Sequence, residues 1–80
     1  MEAHKLRKQY FVSYEDGEWR IIFEDEHIRG YPSQAAAFRA AVDAAHLEGS
    51  RGSDTEVLAL TETGTFRLKW RYGRDPYLPA

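Results

Sequence analysis

The dipeptide Asp16-Gly17, set between two runs that alternate large apolar with polar residues, constrains this chain more than any other feature. Residues that tolerate positive φ at both central positions favour a two-residue type I′ turn, whose twist matches that of the flanking strands. With such a turn Glu15 faces Glu18, Tyr14 faces Trp19, Val12 faces Ile21 and Tyr10 faces Phe23. All six large apolar side chains then fall on one face of the hairpin. A two-stranded ribbon with an apolar face is only marginally stable alone, so the remaining residues have to supply more strands and a covering layer.

They carry the patterns for both. After the acidic turn Glu24-Asp25-Glu26, a short third strand fits His27 to Tyr31, limited by Gly30 and Pro32. Ser33 is a natural N-cap for a helix from about Gln34 to Leu47, whose stripe Ala37, Phe38, Ala41, Val42 and Ala45 is wide enough to lie on a sheet. Gly49 offers a left-handed C-cap, and the following Ser50 to Asp54 reads as a loop. A second hairpin joins Glu56–Thr61 to Thr65–Tyr72 through Glu62-Thr63-Gly64, where the third-place glycine suits a three-residue loop with a G1 bulge. That loop pairs Leu60 with Phe66 and Leu58 with Leu68. Continued without interruption, the alternation puts Trp70 and Tyr72 on their face and Arg67, Lys69 and Arg71 on the other. The expected fold is α+β: a β-β-(β)-α-β-β antiparallel sheet with one helix on one face, shared by both hairpins. Residues 1–8 read as a flexible N-terminal arm and residues 9–80 as a single domain ending in an extended, proline-containing tail.

At 80 residues and without cysteine, the domain must fold on packing alone, and its two Trp, five Tyr and four Phe supply much of the core. The missing cysteines and the lack of a long apolar run suit a cytoplasmic protein. A net charge of −2 argues against a dedicated nucleic-acid binder, but the charge is unevenly spread. Glu15 to Glu26 holds six acids and one base, whereas Arg67 to Asp75 holds four bases and one acid.

Catalytic patterns are lacking. His4, His27 and His46 have no spacing that converges on a metal, and a cation at His46 would be explained by the helix C-terminus. The serines form no nucleophile elbow, and the glycine-containing loop after the helix lacks the Gly-Lys-Ser/Thr of a phosphate-binding loop. Glu24, Asp25 and Glu26 sit in a polar turn where nothing desolvates them. No enzyme activity, metal, cofactor or small-molecule substrate is therefore expected. Two binding readings remain. A small sheet with one helix leaves a face and two edges uncovered, so Phe11, Ile22 and Tyr31 are candidates for contact with a protein partner or a second copy. The alternative is nucleic-acid contact through Arg67, Lys69, Arg71 and Arg74 on the last strand and tail.

The residues Gly17-Glu-Trp19, Ser33-Gln-Ala-Ala-Ala-Phe38, Ala41, Ala45, Gly49, Glu62-Thr-Gly64 and Tyr72-Gly-Arg-Asp-Pro76 with Pro79 follow one another in a familiar order. In this the chain, over about residues 10–79, resembles a family of small bacterial proteins known as domain of unknown function 2188. The family commonly has Glu at the third helical position; Ala36 stands there, which removes the reciprocal half of a capping box. The second hairpin is also more apolar than the family pattern. The resemblance implies the fold and carries no activity with it. The first half also resembles, in topology, the partial double-stranded-RNA-binding-like domain of HicB-type antitoxins.

Overall fold

The structure, a computed structural model, describes residues 7–77. Five strands and one helix follow in the order β1 (Arg7–Glu15), β2 (Glu18–Phe23), β3 (Glu26–Tyr31), α1 (Gln34–Ser50), β4 (Asp54–Leu60) and β5 (Phe66–Arg71). They form one sheet in the order β3-β2-β1-β4-β5, with α1 across one face. The α+β class and the single covering helix are as the sequence indicates.

The sheet is not wholly antiparallel. β1 and β4, which belong to different hairpins, lie side by side and parallel; the other three pairings are antiparallel. The helix is the reason: a strand that follows a helical crossover returns to the sheet in the direction of the strand it joins. The N-terminal arm also ends earlier than expected, since Arg7 and Lys8 belong to β1 and pair with Asp54 and Thr55. The rest of that arm, residues 1–6, and the end of the tail, residues 78–80, lie outside the described residues.

The first hairpin has the register read from its turn, Tyr10↔Phe23 through Glu15↔Glu18, and Asp16 and Gly17 both take positive φ. Ser33 caps α1, its Oγ accepting the Ala36 N–H at 3.0 Å. The helix runs on past Gly49 to Ser50, and the left-handed residue is Gly52. Gly49 is helical, and its bare backbone receives the Tyr72 ring, which a Cβ there would overlap.

Under the helix lie Tyr10, Val12, Ile21, Val57, Ala59 and Trp70, packed against Ala37, Ala41, Val42 and Ala45. The alanines let the helix approach closely enough for Thr55 Oγ1, fully buried, to donate to the Ala45 carbonyl at 2.8 Å. This packing settles the orientation of β4: Thr55, Val57 and Ala59 face the helix, and Leu58 and Leu60 do not.

The second hairpin has the expected three-residue loop, with Thr61 N–H bonded to the Thr65 carbonyl at 2.7 Å and Gly64 at positive φ. Leu60 pairs with Phe66 and Leu58 with Leu68. The alternation then breaks. Val57 pairs with Trp70, so Lys69 is an extra residue in β5, a β-bulge. Phe66 and Leu68 therefore point away from the helix while Trp70 points into the core, correcting the expectation that all three share a face. A second bulge, in the β2–β3 pairing between Trp19 and Ile21, uses Gly30 at positive φ. Both edge strands are thus bulged, a device that hinders indiscriminate edge pairing.

Candidate interaction surfaces

The face of the sheet opposite α1 is built row by row from the strand registers. The side chains of Ile22, Phe11, Leu58 and Leu68 follow one another across β2, β1, β4 and β5, and Leu60 and Phe66 extend this row toward the second hairpin turn. Phe11 and Phe66 meet edge-on with ring centroids 5.2 Å apart. Phe66 and Leu68 remain 39% and 37% exposed, so the apolar strip is open to solvent at β5.

Charges bound the strip, and they are matched within the chain. At one end Arg71 lies 3.6 Å from Asp54 and 3.9 Å from Glu56, while Gln9 donates to Glu56 at 2.9 Å. At the other end Arg20 lies flat over β2 with only 6% of its side chain exposed. Its guanidinium is 3.3 Å from Glu15, 3.7 Å from Glu18 and 3.8 Å from Asp16, and 3.3 Å from His27 Nδ1. This offsets the repulsion between Glu15 and Glu18, which face each other beside the turn. The Arg20 Nε is buried without a partner among the described residues.

The residues singled out from sequence separate. Phe11 and Ile22 lie together on the open face, as expected. Tyr31 does not join them: it faces the helix side across from Trp19 and packs against the core. Its position follows from the Gly30 bulge, which shifts the parity of β3 by one residue. Phe66, Leu68, Leu58 and Leu60 belong to this surface and were missed, because the bulge at Lys69 leaves no mark on the apolar pattern.

The four basic candidates do not form one face. Arg67, across from Ala59, and Lys69 border the helix side, where they line a trough beside Gln34. Arg71 is on the open face, engaged by Asp54 and Glu56. Arg74 is held in the tail by Asp75 at 2.8 Å, and this contact, with the Arg71 N–H, holds the Asp75 carboxyl below its usual range. Among the described residues, Arg67 and Lys69 have no carboxylate within 4 Å, whereas Arg71 and Arg74 each have at least one.

His46 stacks on Tyr77 at 3.9 Å, and the Tyr77 hydroxyl donates to Asp43 at 2.6 Å, which raises the Tyr77 pKa. These contacts anchor the tail to the helix. Among the described residues no three His, Asp or Glu side chains gather where they could hold a metal, and no helix is long and apolar enough to cross a membrane. No family model matches the chain, nor does any curated protein or solved structure.

Proposed function

We propose that this chain is a non-catalytic protein-interaction domain that self-associates, the open sheet face of one copy closing against the same face of another. One observation carries the reading: the strip from Ile22 to Phe66 is apolar and partly exposed, and the charges bordering it, Arg20 and Arg71, are already neutralised by acids of the same chain. A surface of that kind asks no complementary charge of its partner, which suits an isologous contact between identical patches packed sheet on sheet. Nucleic-acid binding through Arg67, Lys69, Arg71 and Arg74 draws less support, since two of the four are engaged by acids and the set is divided between two sides of the sheet. The order of its sequence features supports, on this reading, kinship with the small bacterial domain of unknown function 2188, and the missing cysteines suit the cytoplasm.

Sedimentation velocity over a wide concentration range tests the proposal. The wild-type chain is expected to convert from monomer to dimer with little dependence on salt, as apolar association requires. Phe66→Ser with Leu68→Ser, both partly exposed sites, is expected to fold, as circular dichroism would verify, and to stay monomeric at concentrations where the wild type dimerises. A wild-type chain that stays monomeric throughout overturns the reading.

A further inference from the structure

The helix does not cover the sheet evenly. α1 packs chiefly on β4 and β1 and reaches β2 and β3, leaving β5 bare on the helix side over Phe66–Lys69. Beyond Lys69 the tail folds back: the Trp70 indole N–H donates to the Pro76 carbonyl at 3.1 Å, and Pro76 lines a smaller hollow there with Trp70, Phe38, Arg39 and Val42. What remains is a trough of about 530 Å³ between the start of α1 and β5, opening toward the second hairpin turn. Its cations are Arg67 and Lys69. Thr61, Thr63 and Thr65 line it toward the turn, Ala35, Phe38 and Ala59 line an adjoining apolar hollow beside Lys69, and Gln34, common to both, donates to the Leu60 carbonyl at 2.9 Å. Glu62 is the acid on its rim.

Two properties of this trough define what fits it. β5 is an edge strand with a neighbour on one side only; the tail takes the outer N–H and carbonyl of Arg71, and ahead of the bulge, over Phe66–Leu68, the outer backbone edge has no neighbouring strand and can pair with an added one. Its side chains then present two chemistries to that strand: Arg67 and Lys69 toward the helix, Phe66 and Leu68 toward the open face. An added strand alternates faces as β5 does, so residues beside the cations would be acidic and those beside Phe66 and Leu68 apolar. We infer that this trough is a docking site for an extended polypeptide segment that alternates acidic with apolar residues. This goes beyond self-association through the open face, because the charged half of the contact lies on the other side of the sheet. A nucleic acid fits less well: the trough has two cations rather than a continuous basic track, and Glu62 stands on its rim.

The probe is a synthetic peptide alternating Glu with Val, titrated into labelled protein at a concentration where the protein is monomeric, with backbone amides and the Trp70 indole followed by NMR. Shifts are expected at Phe66–Lys69 and Gln34, with affinity falling about tenfold or more from low to physiological salt. Arg67→Glu with Lys69→Glu, both exposed, should abolish binding of the Glu-Val peptide and create binding of a Lys-Val peptide; Arg67→Lys should retain the original preference. Circular dichroism verifies that each variant folds. No shifts with the Glu-Val peptide, binding unchanged in the charge-reversed variant, or tighter binding of oligothymidylate would each overturn the inference. None of these outcomes affects the sedimentation result, so the two proposals fail separately.

Discussion

Tyr10 shows how a single side chain couples this small core to pH. It stacks on Phe23 with centroids 4.3 Å apart and is nearly fully buried. Burial first, then the charges of Glu48 and Glu24, push its hydroxyl from 10.0 up to about 12. A phenol whose pKa is higher in the folded state than in the unfolded state favours folding in its neutral form. That contribution is complete below pH 10 and is lost as the pH rises from about 10 toward 12. Tyr10→Phe keeps the stack and removes the ionisation, so urea midpoints of this variant should fall less over that interval than those of the wild type. Identical pH profiles would show that Tyr10 does not carry the effect. Glu48 is shifted the other way, its carboxyl lowered chiefly by the Lys8 hydrogen bond at 2.7 Å, so its contribution is lost in acid.

At the scale of elements, β5 decides the character of the surface. An uninterrupted strand would place Phe66, Leu68 and Trp70 together; the bulge at Lys69 divides them between the open face and the core. Removing the extra residue should therefore restore regular alternation without moving any of the three. The prediction is that deletion of Lys69 folds with the same core, retains the Phe11–Phe66 contact in nuclear Overhauser spectra, and changes stability by less than about 1–2 kcal/mol. If Lys69 were an ordinary in-register residue, the deletion would swap the faces of everything on one side of it and unfold the sheet. The first hairpin was legible from sequence down to its pairing because turn type and apolar parity agree. The second was legible in its loop and its first two pairs, and stopped being so where one lysine, polar like Arg67 and Arg71 at the alternate positions, dropped out of the ladder.

At the scale of the whole molecule, the tail completes the core. Trp70 is 5% exposed, its indole N–H is satisfied by Pro76, and Tyr77 ties the tail to α1 through His46 and Asp43. Truncation after Tyr72 should expose Trp70, shift its fluorescence to longer wavelength and lower stability by about 1–3 kcal/mol. An unchanged emission maximum would mean that the tail does not shield the indole. The same scale governs the candidate surfaces, because each joins strands distant in sequence. What the sequence determined by itself was local: the Asp16-Gly17 turn and its register, the Ser33 cap, the alanine stripe of α1 and the Gly64 loop, all set by backbone conformation and side-chain period within a few residues. Tertiary structure alone decided that β1 and β4 lie parallel at the centre, that Tyr31 turns inward, and that Arg67 and Lys69 part from Arg71. These depend on which strands meet and where a ladder slips. Both follow from fitting five strands beneath one helix, a packing problem to which distant residues contribute together.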